Sequence, residues 1–143
     1  MKFKFQFESL LHIRRHEEKK EQQELGRLLG MKLQIKNKID RFRGRLEKFE
    51  DAYSNDIPRN ALDIRHYYEL RHDVQKKIWD LKGELGCLEK SIERQRERLM
   101  QANQKTKMLE ELEERERKKF IEHHQHREQL QQNEIATQLY NRT

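Results

Sequence analysis

The sequence predicts an all-α fold: a long two-helix antiparallel coiled-coil hairpin with an overhanging C-terminal helix. Three observations predict it. Of the 143 residues, 41% are charged and only 33% hydrophobic, which is too little apolar material for an ordinary layered core. The chain is rich in the strong helix formers Glu, Lys, Arg, Gln and Leu and holds one proline and five glycines, a composition that argues against disorder. Large apolar residues recur at heptad spacing on either side of SNDIPRN, the stretch that joins proline to a cluster of Asn, Asp and Ser.

These features organise residues 1–143 as a single elongated coiled-coil domain, with helix 1 over about 3–53, a turn over 54–60 and helix 2 over about 61–140. In helix 1, alternating steps of four and three from Phe7 land on Leu11, Arg14, Glu18, Glu21, Leu25, Leu28, Lys32, Ile35, Ile39, Phe42, Leu46, Phe49 and Tyr53. Polar residues weaken the first half of this seam, whereas every seam position from Ile35 to Tyr53 is large and apolar. The turn follows, with Asn60 as the expected N-cap of helix 2. The second seam runs through Tyr67, Leu70, Val74, Ile78, Leu81, Leu85, Leu88, Ile92, Leu99, Ala102 and Leu109. Neither helix can bury its stripe alone, so a short connection folds them back on each other.

The helices differ in length. With a turn centred near Ile57, Phe3 faces a residue near position 111, leaving about 30 residues, roughly 45 Å of helix, without a partner. Glu111 with Arg115, Glu113 with Arg117 and Glu114 with Lys118 stand at i,i+4 with the acid first, the order that best supports a solvated helix. Apolar residues then return at Leu130, Ile135, Leu139 and Tyr140, either as an adhesive tip for a partner or as residues that fray in solvent or pair with a second copy of the chain. A second candidate surface lies near the turn. Phe49, Tyr53, Tyr67, Tyr68, Leu70 and Trp79 either shield the flank of the core or form an aromatic patch of the kind enriched at binding hot spots.

Other function classes find little support. The net charge is +6, but 32 basic and 26 acidic residues are interspersed along the chain, the pattern of solvated helix faces, so no nucleic acid partner is expected. Cys87 is the one cysteine; it permits no internal disulfide, matches a reducing cytoplasm and, beside Leu88, reads as a small packed thiol. No apolar run is long enough for a membrane span, and the opening MKFKFQFESLL does not read as a signal peptide. A two-helix hairpin offers no interior for catalysis, and the chain has neither a glycine-rich phosphate loop nor paired-cysteine zinc spacing, so no catalytic residue or cofactor is assigned. His123 with His126, and His12 with His16, offer two imidazoles each on an open helix surface, short of a structural zinc set, so no metal is assigned.

Both ends of the chain carry a family resemblance. FQFESLLHIRRHEEKKEQQELGRLL, with its aromatic alternation, Leu-Leu pair, arginine and acidic, glutamine-rich helix, resembles the start of the FliJ family of bacterial flagellar export proteins. LMQANQKTKMLEELEERERKKFIEHHQHREQLQQNEIATQLYNR resembles that family through Ala102 and Lys107, Leu109-Glu110 with Leu112, and Arg127-Glu128-Gln129 followed by Asn133-Glu134-Ile135-Ala136, although the family often has aspartate at the position of Asn133. The resemblance implies a non-enzymatic cytoplasmic component of the flagellar type III export apparatus, at the cytoplasmic face of the membrane and similar in shape to the central stalk of rotary ATPases. It implies three partners: the hexameric export ATPase, the cytoplasmic region of the membrane export gate, and export chaperones. On that basis the ATPase would engage Phe3, Phe5, Phe7, Leu130, Ile135, Leu139 and Tyr140, and the gate or chaperones the turn-end aromatic patch. Stalk proteins of virulence type III secretion and self-associating structural coiled coils are the alternatives.

Overall fold

The computed structural model describes residues 2–55 and 61–142. It contains two α-helices, α1 (Glu8–Asn55) and α2 (Ala61–Arg142), packed against one another as an all-α hairpin. Ser54 and Asn55, read as turn, belong to α1, where Ser54 Oγ donates to the Glu50 carbonyl at 2.9 Å. The expected turn centre and the Asn60 cap lie outside the described residues.

Helix α1 starts at Glu8 rather than near residue 3. The segment before it reads Lys2-Phe3-Lys4-Phe5-Gln6-Phe7, a period of two that suits extended backbone and not a helix. Phe3 is half-buried and Phe5 buried, whereas Lys2, Lys4 and Gln6 are exposed. A turn then opens the helix: the Glu8 amide donates to the Phe5 carbonyl at 3.3 Å and the Leu11 amide to the Phe7 carbonyl at 2.9 Å. Glu8 places a carboxylate in the first turn, where the helix dipole favours it.

The chain divides into two compact units, Glu21–Arg98 and a second made of Met1–Lys20 with Leu99–Thr143. In the Glu21–Arg98 unit, Leu28, Leu88 and Ile92 form the core, with Leu25 and Ile35 packed against it. Ile39, Tyr67 and Ile78 are also buried. Each well-buried aliphatic side chain contributes roughly 1.5–3 kcal/mol relative to exposure, and this burial stabilises helices that are otherwise open on their outer faces. In the second unit Phe5 and Leu11 are buried, together with Thr106, whose Oγ1 donates to the Ala102 carbonyl at 3.1 Å.

The register differs from the expected one. Glu50 meets Arg71 at 3.5 Å and Lys32 meets Glu89 at 3.7 Å, pairs whose numbers add to 121, and Gln95 meets Glu21, a pair that adds to 116, where a turn centred on Ile57 requires 114. Two causes act in this direction. The observed helix ends, Asn55 and Ala61, put the midpoint at residue 58. Side chains also lean toward the N-terminus of their own helix, which in an antiparallel pair adds about two more to the sum. In the second unit, Phe3 accordingly meets Phe120 instead of a residue near 111. The unaccompanied part of α2 is residues 121–142, roughly 33 Å rather than 45 Å.

One expected seam member, Phe49, and one expected flank residue, Cys87, face outward. Phe49 is 39% exposed, and Glu50 turns inward in its place. At about 100° per residue Glu50 lies about 40° from Leu46, whereas Phe49 lies about 60° away. Cys87, expected to pack, is exposed because Leu88 takes the buried position.

Candidate binding surfaces

Residues 121–142 of α2 are exposed throughout. Leu130, Ile135, Leu139 and Tyr140 therefore stand open, Tyr140 at 81% exposure. They do not form one stripe. Leu130 and Leu139 are nine residues apart and so lie on opposite sides of the helix, about 180° apart; Ile135 lies beside Leu139, and Tyr140 is turned about 100° from it. These apolar side chains are thus spread over several sides of a mostly polar helix instead of lining one face.

The amino-terminal aromatics are placed elsewhere. The Phe3 ring packs on Phe120 with centroids 5.6 Å apart, and the Arg117 guanidinium sits 5.5 Å from the Phe3 centroid. Phe5 is buried edge-on to Phe7 at 5.9 Å, and Phe7 is 38% exposed. Of these rings, Phe3 anchors the segment preceding α1 to α2, ten residues before Leu130. They are not gathered with the C-terminal set.

The aromatics toward the helix ends at Asn55 and Ala61 divide into packed and open members. Tyr53 stacks on Tyr67 with centroids 3.9 Å apart and an interplanar angle of 16°. Tyr68 meets Tyr67 edge-on at 5.4 Å, and Leu70 is half-buried. Phe49, Tyr68 and Trp79 are open, with Trp79 at 76% exposure. Tyr68 and Trp79, eleven residues apart, fall within about 20° of one face and roughly 16 Å along the helix.

A further surface escaped the sequence reading. Lys38, Arg41, Phe42, Arg45, Lys77, Asp80 and Leu81 line an open groove of about 430 Å³ between the helices. The Arg45 guanidinium and the Lys77 ammonium each stand 5.5 Å from the Phe42 ring centroid. Residues 36–48 contain six Lys or Arg and two Asp or Glu, and residues 76–82 contain three and one, a net charge of +6 that equals that of the whole chain. The other 123 residues balance, 23 basic against 23 acidic. The charge looks interspersed along the chain because the two basic windows are separated by 27 residues; pairing of α1 with α2 joins them. Within α1, Lys38 with Arg41, Arg41 with Arg45, and Arg45 with Lys48 repel at i,i+3 or i,i+4, each costing roughly 0.2–0.5 kcal/mol.

No described helix is long and apolar enough to cross a membrane. Among the described residues, no group of three or more His, Cys, Asp and Glu side chains is placed to hold a metal ion. His124 instead pairs with Glu128 at 3.3 Å and stacks on Phe120 at 6.3 Å.

Comparison with curated proteins gives no match, and neither does comparison with solved structures. Among protein families, the one described as flagellar FliJ protein matches residues 3–143. That span takes in the aromatic segment before α1, both helices and the exposed end of α2, so the match rests on the whole hairpin and not on a local run of Glu, Lys and Leu: the chain belongs to the FliJ family of flagellar proteins.

Proposed function

We propose that the chain is a non-enzymatic, cytoplasmic component of the flagellar type III protein export apparatus, and that it acts as a stalk for the hexameric export ATPase. Family membership supports the export role. The stalk role draws on one observation: the exposed Leu130, Ile135, Leu139 and Tyr140 stand on more than one side of an otherwise mostly polar helix end, with Leu130 and Leu139 on opposite sides. Exposed apolar side chains on opposite sides of a helix are both covered by an environment that encloses it, such as the opening of a ring, whereas pairing with one other helix would bury only one side. A stalk held in this way can bias subunits of a ring through contacts that differ between their conformations. Phe3 serves this end of the molecule by anchoring the first residues to α2 just before the exposed stretch, with Phe5 buried beside the partly open Phe7 ring.

The open aromatics Phe49, Tyr68 and Trp79 form the surface for the cytoplasmic region of the export gate or for export chaperones, which brings the protein to the cytoplasmic face of the membrane. Tyr53, Tyr67 and Leu70 hold that surface in place from beneath.

A truncation ending at Gln129 tests the stalk reading. Binding to the export ATPase hexamer, measured by co-sedimentation, is expected to fall at least about tenfold while helicity per residue and melting temperature stay unchanged. Undiminished binding would refute the assignment, as would a full-length chain that is a stable dimer whose dissociation requires the same truncation.

A further inference from the structure

The groove floored by Phe42 and Leu81 combines unneutralised charge with an apolar base. Among the described residues, none of the nine cations in 36–48 and 76–82 has a carboxylate within ion-pair distance. Elsewhere, cations do find acids across the hairpin, as Arg15 does with Glu110 and Lys32 with Glu89. The protein's own acids, Asp80 in the lining included, thus make no ion pair with this patch, even though α1 carries three repelling pairs along it. We infer that this groove is the docking site for an acidic amphipathic helix of a partner protein.

The shape and spacing select that occupant. Lys38, Arg41 and Arg45 follow one flank of α1 in steps of three and four, a row roughly 10 Å long, and Lys77 stands on the α2 side. A third helix laid between two others presents carboxylates in steps of three and four along its own flank, in register with such a row for about two turns. Its apolar seam then covers the half-buried Phe42 ring and Leu81. A flat anionic bilayer meets the rim of cations and leaves the floor uncovered. A phosphate backbone satisfies the cations and has no use for the apolar floor. Charge complementarity of this kind chiefly raises the association rate and fixes the partner's identity and register.

The test uses the full chain and a fluorescent synthetic helix with leucines at heptad spacing flanked by glutamates, followed by anisotropy at several salt concentrations. The combined Lys38→Gln, Arg41→Gln, Arg45→Gln and Lys77→Gln variant is expected to bind at least about tenfold more weakly, with a shallower salt dependence. Changing Lys90, Lys105, Lys107 and Lys119 to Gln removes the same charge from the balanced part of the chain and is expected to alter binding less than about twofold. The groove variant removes repulsion within α1, so its helicity and melting temperature should hold; Phe42→Leu should weaken the peptide's binding and leave its salt dependence in place. Equal loss in the two four-site variants would show that net charge alone governs binding and would overturn the proposal. So would a groove variant that binds the peptide normally, or groove-dependent binding of anionic vesicles or duplex DNA in the absence of peptide binding.

Discussion

Gln95 of α2 and Glu21 of α1 face each other inside the hairpin seam. The Gln95 side chain is only 4% exposed, and its Nε2 donates to the Glu21 backbone carbonyl at 3.1 Å and to the Glu21 carboxylate. Heptad spacing assigns both residues to positions that elsewhere carry Leu or Ile. Their contact satisfies polar groups that burial would otherwise penalise, and it ties one level of α1 to one level of α2.

Gln95→Ala should therefore destabilise the protein by about 1–3 kcal/mol, because Glu21 is left in the seam without its donor. Gln95→Leu combined with Glu21→Leu should recover that loss, since apolar groups of similar shape then replace both partners. Urea denaturation of the three proteins gives the comparison. A single variant as stable as the parent would mean that the pair contributes nothing.

Gly26 lies within α1, and a Cβ placed there meets no other atom within 4 Å. Glycine in a helix interior costs about 0.8–1.0 kcal/mol relative to alanine. Gly26→Ala should raise stability by about that amount, seen as a higher urea midpoint with an unchanged slope. A decrease would mean that this position needs the flexibility of glycine.

Trp79 is an exposed aromatic, whereas Tyr53 is a packed one. Trp79→Ala should change stability by less than about 0.5 kcal/mol, because the side chain is largely in solvent, and the fluorescence of the native protein should be readily quenched by acrylamide. Tyr53→Ala removes a ring stacked on Tyr67 and should lower the melting temperature. Gate-fragment binding measured with Tyr68→Ala plus Trp79→Ala then reports on the surface alone; full binding by that pair excludes these residues as the contact.

Arg27 Nη2 lies 2.6 Å from Glu24 Oε1, and this hydrogen bond, reinforced by charge, holds the Glu24 carboxyl below its ordinary value while raising the Arg27 guanidinium. A carboxyl lowered in the folded state contributes stability above its unfolded value, and that contribution is lost as pH falls through the folded one. Arg27→Gln should move the Glu24 titration, followed by carboxyl NMR, upward. Both groups are exposed, so the melting temperature should scarcely respond. An unmoved titration would show that the bond is absent in solution.

Residues whose position depends on one helix alone stand largely where its spacing puts them. Ile39, Ile78, Leu88 and Ile92 fall on the predicted seams and are buried, and family membership was legible in the ordered motifs at the two ends. Positions 95 and 106 satisfy the same spacing, and although Gln and Thr do not look like core residues, both are buried. The aromatic alternation before Glu8 carried a period of two that announces extended chain.

The sequence by itself determined the two helices, their inward stripes and the family, because helical periodicity is a local property carried by each segment. Only the tertiary structure decided the register that brings Phe3 to Phe120 and Glu50 to Arg71, and so the length of α2 left exposed. It also decided that two separate basic windows become one groove around Phe42. Register depends on how two helices settle against each other, through the lean of their side chains and the polar contacts that lock their levels, and no local pattern within either helix encodes that relation alone.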